Sequence, residues 1–535
     1  MKHYKIIITL VFTILFAAVS CVKDLDTVPI DKDEITSASV YANPDSYRQV
    51  LAKLYSVFAM SGQRGPDGLP DISGIDEGFS NYTRQYWVAQ EIPTDEAVVS
   101  WNDPGLPDYN YQSWDASNDF VTALYNRIFY MISICNEYIR ETTDEKLDDR
   151  NVSGTLRTKV GYYRNEARFL RALSYWHALD LYRNVPFVTE DDGIGSFLPE
   201  QISKTGLFNY IESELKDLET KMVTARQNEY ARADQAAAWM VLSKLYLNAE
   251  VYINQSKYTE CITYCNKIIN AGYSLKPVYE HLFLADNHLL NEEVIFPIAF
   301  DGTYTQSWGG MTFIINAASG SDWDNLEDTI GLYGNNIAWG GNRATKAFVE
   351  KFADITGTTD TRPMFYTNGH TLEIDDIKEF KQGYGVMKFK NVTSDGVVGS
   401  NGNHPDTDFP MFRLADVYLM YAEAVLRGGT GGDAGTALGY INDLRQRAYG
   451  DNSGDVSAGD ITLDFILDER ARELYWEGHR RTDLIRYNYF TGSNYLWPWK
   501  GNVAEGTATD NKYNIFPIPD SDIGANPNLK QNPGY

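Results

Sequence analysis

Apolar residues recur at helical spacing along most of the chain, and the helices that they predict come in pairs. In "RADQAAAWMVLSKLYLNAEVYI", Ala236, Met240, Leu245 and Leu247 follow this spacing, and "YTECITYCNKIINAGY" is a second amphipathic run that ends at Gly272. The three consecutive alanines of the first run allow a neighbouring helix to approach closely. Such packing is typical of tetratricopeptide-type repeats.

Further segments repeat this paired pattern. "NEARFLRALSYWHALDLYRNVPF" is followed by "LFNYIESELKDLETKMV", and "FRLADVYLMYAEAVLRGG" is followed by "AGTALGYINDLRQRAYG" across a Gly-rich turn. "FVTALYNRIFYMISICNEYIRE" and "ITLDFILDERARELYWEGHRRTDLIRYNYF" predict additional long helices. The pattern therefore predicts a helical repeat scaffold.

Three long stretches between these helices do not have helical periodicity. Residues 60–118, about 273–410 and 491–535 are rich in Gly, Asn, Asp and Pro, with scattered Trp and Tyr. Loops of this length inside a compact domain usually carry function or short strands of their own. A repeat scaffold with such loops is a binding architecture. Since no low-complexity linker divides the chain, we predict one domain over residues 21–535.

The first long loop contains aromatic residues where turn formers predominate. Trp101, Tyr109, Tyr111 and Trp114 lie among Pro, Gly, Asn and Asp between residues 94 and 118. Large aromatic side chains are ordinarily buried, because removing their area from water is favourable. On a loop they are either anchors that hold the loop to the body or a platform for a ligand, and the residues alone leave both interpretations open.

The charge of the chain limits its partners. Its 47 Lys and Arg against 73 Asp and Glu give a net charge of -26, which repels phosphate backbones. We therefore predict no nucleic-acid partner. The composition, 43% hydrophobic and 22% charged, is that of a globular protein.

The first twenty residues have the pattern of a signal peptide. Lys2 and Lys5 precede the apolar run "IIITLVFTILFAAVS", and small residues lead to Cys21. This is similar to a bacterial lipobox, in which Cys21 becomes the lipid-modified N-terminus after residues 1–20 are removed. An ordinary secretory signal is the alternative. No later apolar run is long enough to span a membrane.

Two further groups of residues invite a chemical role, and both are better explained by structure. Cys261 and Cys265 lie four apart on a predicted helix without the ligands that would complete a zinc site, which favours core packing. In "DERARELYWEGHRR", Glu473, Glu477 and Arg480 recur at three- and four-residue spacing, which predicts a structural ion-pair ladder. No HExxH, GxSxG or phosphate-loop motif appears, and we predict that the protein is not an enzyme.

Taken in order, these segments resemble the SusD/RagB family of outer-membrane nutrient-binding lipoproteins. The resemblance covers nearly the whole chain. It rests on the lipobox at Cys21 and on "NEARFLRALSYWHALDLYRNVPF", "RADQAAAWMVLSKLYL", "FRLADVYLMYAEAV", "ILDERARELYWEGHRRTDLIR" and "IFPIPDSDIGANPNLKQNPGY". It implies an all-α fold with about four tetratricopeptide-like helix pairs. It also implies a place on the outer face of the outer membrane and a SusC-like TonB-dependent transporter as partner.

The chain is similar above all to the starch-binding founder of this family, and that resemblance implies a set of glycan-binding residues. Arg84 and Trp101 match sugar-contacting residues by position, and Trp339 matches a second tryptophan of an aromatic arc. Trp308 falls where the founder has a tyrosine.

The match to the founder's arc is incomplete. Val99 replaces one tryptophan, and an asparagine of the founder is matched only loosely by Asn102 or Asp103. A changed arc suits a changed glycan.

The chemistry of sugars agrees with this implied site. A sugar ring has an apolar face, which aromatic planes cover, and a rim of hydroxyls, which Asn, Asp and Arg side chains satisfy. We therefore expect a non-catalytic protein that captures oligosaccharides, with starch-type α-glucans as the first expectation. The alternatives are another glycan, such as a fructan or a host glycan, peptides, and, from another class, a glycoside hydrolase with two facing carboxylates.

Acidic residues in two loops are candidates for a structural calcium ion. "HPDTDFP" contains Asp406 and Asp408, and "LFLADNHLLNEE" contains Asp286, Asn287 and Glu292, the hard oxygen ligands that calcium prefers. Solvated turn acids and helix caps are the alternative. Resemblance to the founder in both segments favours calcium at Asp286, Asp406 and Asp408, and a chelator that lowers the melting temperature would support this hypothesis.

Overall fold

The helices expected from periodicity form the body of the protein. The structure is a computed structural model that describes residues 36–193, 195, 197–289, 292–320 and 332–535. The predicted signal peptide, residues 1–20, and the predicted lipid-bearing Cys21 lie outside this range. By its contacts the chain divides into a unit that ends at Tyr47 and a second unit, Arg48–Tyr535.

The fold is mostly helical, with 46% helix and few strands, which confirms the all-α prediction. The described α-helices are α1 Ser37–Val40, α2 Ser46–Ala59, α3 Tyr82–Glu91, α4 Pro107–Tyr111, α5 Asp119–Glu141, α6 Asp144–Asp149, α7 Gly154–Tyr182, α8 Lys204–Leu218, α9 Gln235–Leu247, α10 Ala249–Ile253, α11 Tyr258–Ile269, α12 Gly310–Ala318, α13 Lys346–Val349, α14 Leu414–Leu426, α15 Ala434–Tyr449, α16 Leu463–Leu474, α17 Arg480–Arg486 and α18 Asp520–Ala525.

The strands are short and form two-stranded antiparallel ribbons between the helices. The ribbons are β1 Gly62–Arg64 with β2 Gly68–Pro70, β3 Ala97–Val99 with β7 Asn342–Ala344, β4 Val185–Pro186 with β5 Gln201–Ile202, β6 Val294–Ile298 with β10 Phe409–Arg413, and β8 Phe365–Tyr366 with β9 Gly385–Val386.

Successive long helices pack on one another, as the paired pattern predicts. Helix α7 packs on α5 and α8, α9 on α8 and α11, and α14 on α11, α15 and α16. The first predicted helix of the 236–272 pair is interrupted at Asn248, which caps α9 before the short helix α10 begins. Its three alanines are fully buried, in agreement with close helix packing. Cys135, Cys261 and Cys265 are buried free thiols, which confirms core packing for them.

Five of the described helices lie inside stretches predicted to be irregular: α3, α4, α12, α13 and α18, of which α3 and α12 are the longest. Helix α3 buries all of its residues except Arg84, and all of α12 is buried. Amphipathic periodicity requires a polar face toward water, and a helix surrounded by protein has none. The prediction of irregular structure at 82–91 and 310–318 was therefore wrong. Helices α3 and α12 pack together and position the loops discussed below.

The charged segment "DERARELYWEGHRR" is structural, but its ion pairs differ from the predicted ladder. Helix α16 ends at Leu474, and Trp476 and Gly478 take positive φ before α17 begins. Glu473 and Glu477 are fully buried and pair chiefly with residues from other elements. Along α16 and α17, two ion pairs join residues three apart: Arg472 with Glu469, and Arg486 with Asp483.

Arg413 lies at the centre of this buried network. Its Nε donates to Glu477 Oε2 at 2.6 Å, and its Nη1 donates to Glu293 Oε1 at 2.8 Å and to Glu473 Oε1 at 2.7 Å. Lys388 pairs with the other oxygen of Glu477, at 2.6 Å. Buried charges are stable only when they are paired and hydrogen-bonded, so this network holds strand β10 against the turn after α16.

A pair of buried carboxyl groups fastens the same turn to α3. Glu91 Oε1 accepts hydrogen bonds from the backbone N–H groups of Gly478 and His479, and Glu96 Oε2 accepts one from Trp476. The second oxygen of Glu91, Oε2, is buried and receives no hydrogen bond from a donor in the described ranges, which disfavours the charged carboxylate there. Burial raises the pKa of both, and the charge of Glu91 raises the pKa of Glu96 further.

This pair predicts that stability falls as pH rises. The folded protein retains a proton that an unfolded Glu releases near pH 4.3, so the stabilisation is complete below that pKa and is lost as pH rises through the folded pKa values. We therefore expect the contribution of this pair to the free energy of unfolding to decrease between about pH 5 and about pH 8, measured with urea as the difference between the wild type and Glu96→Gln. Glu96→Gln keeps a neutral partner for Glu91 and should flatten that dependence. An identical pH profile for the variant would contradict the retained proton.

None of the helices in the described ranges combines the length and the apolar content needed to cross a membrane.

Candidate functional site

The ribbon of β3 and β7 brings two of the predicted tryptophans together. Val99 lies opposite Asn342, and beyond this pair Ser100 N donates to Gly341 O at 2.9 Å. Trp101 follows β3 and Trp339 precedes β7, so both leave the same end of the ribbon. The ring centroids of the two tryptophans are 6.2 Å apart, and Trp101 Nε1 donates to Trp339 O at 3.2 Å.

Helix α12 fixes this end of the ribbon. The backbone N–H groups of Trp339, Gly340 and Gly341 donate to carbonyl groups in and just after the last turn of α12, at 2.7 to 2.8 Å. Such bonds satisfy carbonyls that a helix end leaves unpaired. Phe313 of α12 contacts the Trp101 ring edge to face, with centroids 5.9 Å apart. The two tryptophan rings thus lie on a buried, rigid support.

Trp308 adds a third ring beside the pair formed by Trp101 and Trp339. Its ring centroid is 6.3 Å from that of Trp339, and His404 packs on it at 4.8 Å. Trp308, Trp339 and Trp101 are each half-buried. We call these three side chains the aromatic arc. Their partial exposure leaves ring surface available to a ligand, whereas a core tryptophan has none.

Both Trp308 and Trp339 precede a Gly-Gly pair in the sequence, and the glycines have a steric role. A Cβ on Gly341 would lie 2.6 Å from Cε2 of Trp101, and a Cβ on Gly309 would lie 2.0 Å from Cβ of Asn81. Any other residue at either position would displace its neighbour. The glycines therefore let the Trp101 ring lie directly on the backbone before β7.

Arg84 lies behind the arc in the first turn of α3. Its guanidinium is 4.3 Å from the ring centroid of Phe313, and Nη1 donates to Gly78 O at 3.2 Å. Among the described residues its buried Nε has no hydrogen-bond partner. Burial lowers the pKa of Arg84 to about 10, against the opposing charges of Asp103 and Asp76. Arg84 therefore stays cationic at neutral pH, and its side chain is only partly buried.

The remaining predicted glycan-binding residues, Asn102 and Asp103, are exposed at the start of the loop after Trp101. Their side chains border the arc without being buried in the fold. Val99 is buried in β3 and adds no ring to the arc. The structure thus brings together Arg84, Trp101, Trp308 and Trp339, which are separated by more than 250 residues in the chain.

The other aromatic residues of the first loop are anchors. Tyr109 and Trp114 are fully buried, and Trp114 Nε1 donates to the hydroxyl of Tyr535 at 2.9 Å. Tyr111 packs on a small apolar cluster around Val98. Trp101 is the only one of the four whose ring lies beside a second half-buried tryptophan within the described chain.

The sequence pattern did not predict the roles of two residues that support the arc, Phe313 and His404. Phe313 belongs to the apolar run "GMTFIINAA", which has no helical pattern because α12 is buried on every side. His404 is the first residue of the segment "HPDTDFP", in which only the acidic residues were predicted to have a role. Burial lowers the pKa of His404, so a neutral imidazole supports Trp308. The sequence Trp-Gly-Gly occurs at both 308–310 and 339–341, and this repetition could have identified both loops as parts of one site.

The three carboxylates predicted to bind calcium accept hydrogen bonds from protein groups. The donors are the backbone and hydroxyl of Ser394 for Asp286, the backbone of Gly302 for Asp406, and the backbone of Phe300 for Asp408. Burial also raises the pKa of Asp408 to about 6. Across the described ranges no three His, Cys, Asp or Glu side chains are grouped to hold a metal ion. The calcium site stays a prediction without support from this geometry.

The fold and the arc define a helical-repeat protein that carries a row of half-buried tryptophan rings on its loops. The model of the SusD family matches residues 374–535. The starch-binding protein SusD of Bacteroides thetaiotaomicron is 35% identical over 563 aligned positions, which cover 96% of each chain. SusD-like protein P2 of Formosa agariphila is 26% identical, over 78% of this chain and 81% of its own. The chain therefore belongs to the SusD family.

Solved structures share the fold at lower identity. Surface glycan-binding protein A from Bacteroides fluxus has a TM-score of 0.70 and 20% identity, with 92% of this chain and 100% of that chain covered. Surface glycan-binding protein A from Bacteroides thetaiotaomicron, in complex with laminarihexaose, has a TM-score of 0.68 and 19% identity, with 91% and 99% covered. These similarities establish the architecture.

Proposed function

We propose that this protein binds starch-type α-glucan oligosaccharides along the aromatic arc. The observation that carries the proposal is the row of three half-buried tryptophan rings, with centroids 6.2 and 6.3 Å apart, on a support of buried helix and backbone. Successive rings at such spacing suit the successive apolar faces of a sugar chain. The identity to a starch-binding protein over 96% of the chain supports α-glucans as the ligand class.

The polar groups beside the arc fit the hydroxyl rim of a sugar. Arg84 is a half-buried cation with guanidinium donors, and Asn102 and Asp103 supply exposed donors and acceptors. Each stack or hydrogen bond contributes about 1 kcal/mol net, so a few of them give affinities on the order of micromolar to millimolar. Affinity in this range allows capture and release, as a delivery protein requires.

The wider role follows from the family. The protein is held at the cell surface by a lipid on Cys21 and passes its glycan to a SusC-like TonB-dependent transporter in the outer membrane. It binds without hydrolysing: Glu473 and Glu477, the carboxylates of the charged segment, are fully buried in ion pairs and out of reach of a substrate.

Affinity electrophoresis of the chain from residue 22 onward tests the ligand class. We expect retardation in gels containing amylopectin or pullulan, reversed by maltoheptaose, and none in levan, dextran or arabinoxylan. A reducing-end assay on amylopectin should detect no sugar release. Retardation only in another polymer would refute the α-glucan assignment, and sugar release abolished by one carboxylate substitution would refute the binding role.

A further inference from the structure

Tyr304 is an aromatic side chain that the fold leaves in water, four residues before Trp308 of the arc. Its exposed fraction, 80%, is the highest of any large apolar or aromatic side chain in the described ranges. A single exposed ring is common on protein surfaces and by itself indicates nothing. What distinguishes Tyr304 is the rigidity of its turn and the connection of that turn to Trp308.

The turn that carries Tyr304 is closed by its own hydrogen bonds. Asp301 Oδ1 accepts from the backbone N–H groups of Thr303, at 2.8 Å, and Tyr304, at 3.0 Å. Thr305 Oγ1 accepts from Asp301 N at 2.7 Å and donates to Asp301 O at 3.0 Å. The backbone is therefore ordered before any ligand binds, which lowers the entropy lost when the tyrosine makes a contact.

The same neighbouring segment holds this turn and Trp308. Gly302 N donates to Asp406 Oδ1 at 2.7 Å, and Gly302 O accepts from Asn401 Nδ2 at 3.0 Å. Between those two residues in the chain lies His404, whose ring packs on Trp308 at 4.8 Å. A shift of the 401–406 segment would thus move both rings, and the segment fixes Tyr304 relative to the arc.

Tyr304 is also near enough to Trp308 to share a ligand with it. The two residues are four apart in the chain, so their Cα atoms are separated by at most about 14 Å. Trp308 is the last of the three rings in the arc, beyond Trp339, and a sugar chain that leaves the arc past Trp308 enters the vicinity of this turn. Tyrosine suits such a place, because it combines an apolar face with a hydroxyl for the sugar rim.

We propose that Tyr304 forms an outer subsite for the glucan chain, stacking on a sugar beyond those held by the aromatic arc. The proposal rests on the proposed function and deepens it: the protein distinguishes long chains from short ones. A short oligosaccharide fills the arc alone, whereas a longer one also reaches Tyr304 and dissociates more slowly.

Calorimetric titration with maltotriose and maltoheptaose tests this subsite. We expect Tyr304→Ala to weaken maltoheptaose binding by about three- to tenfold and to leave maltotriose binding unchanged. Tyr304→Phe keeps the ring and should bind maltoheptaose nearly as the wild type does. Tyr162→Ala, which truncates another exposed tyrosine, on α7, serves as the matched control and should bind both ligands normally. All three variants should melt as the wild type does.

The outcomes distinguish a failure of the outer subsite from a failure of the proposed function. If Tyr304→Ala binds maltoheptaose as the wild type does, or loses both ligands equally, while Trp101→Ala loses both, the outer subsite is refuted and the arc stands. If Trp101→Ala binds both ligands normally, the proposed function is refuted and the subsite with it. A loss confined to the longer ligand supports the proposal.

Discussion

Trp101→Ala and Trp339→Ala are each expected to lower the affinity for α-glucan oligosaccharides by about tenfold or more, without unfolding the protein. Each substitution removes a ring that presents apolar surface to the ligand, so the loss combines the stacking energy with the area that the sugar no longer covers. The support remains, because backbone hydrogen bonds from residues 339–341 to α12 and the β3–β7 ribbon do not involve the rings.

Calorimetric titration with maltoheptaose, together with thermal melting, checks this expectation. Trp239→Ala is the matched control: Trp239 is also half-buried, its Nε1 donates to Glu219 at 3.2 Å, and it lies on scaffold helix α9. It should cost stability and leave affinity unchanged. If Trp101→Ala instead melts early and binds normally, that ring is an anchor like Trp114.

The contrast between Trp101 and Trp114 shows how much of the site can be predicted from the sequence alone. Both lie on one loop with the same turn-forming neighbours, and nothing local distinguishes them. Trp114 is buried because Phe516 and Tyr535, some 400 residues later, return to cover it. Trp101 stays half-exposed because its neighbours are Gly341 and another surface tryptophan. Only resemblance to a known family, and not the pattern of residues, favoured Trp101 over Trp114 as a ligand contact.

The same limit applies to the helices. Helix α15 was predictable because its buried residues, Ala437, Ile441, Leu444 and Ala448, recur at helical spacing on one face while polar residues such as Asp443 face water. Helices α3 and α12 were not, because burial on all sides removes the periodicity. These two hidden helices carry Arg84 and Phe313. The sequence therefore predicts the scaffold better than the elements that position the site.

The buried charges are a third case, since their spacing predicts ion pairs but not their partners. Glu469, Glu473 and Glu477 recur every four residues, as for an exposed ladder. In the fold they are fully buried, and Arg413 joins Glu473 and Glu477 from a strand some 60 residues away. Pairs on a surface contribute little to stability, whereas an unpaired charge in the interior is severely destabilising. Because the carboxylates that pair with Arg413 are buried, we expect its replacement to cause a large loss of stability.

Arg413→Met is expected to lower the free energy of unfolding by about 3–5 kcal/mol, because it leaves buried carboxylates without their shared cation. Urea unfolding at neutral pH measures this loss. Lys221→Met, which breaks an i,i+4 pair with Asp217 on a side chain that is 50% exposed, is the control and should cost less than about 1 kcal/mol.

A second substitution separates the charge effect from the loss of packing. Glu293→Gln removes one of the carboxylates that Arg413 pairs with, at Nη1–Oε1 2.8 Å, while Arg447, the other partner of Glu293, keeps its pair with Glu473. We therefore expect the double variant Arg413→Met with Glu293→Gln to be more stable than Arg413→Met alone, because it removes a buried negative charge that has lost one of its two cations, and neighbouring substitutions in one network are not additive. A double variant less stable than the single one would mean that Arg413 acts through packing, and that the buried network does not depend on its charge.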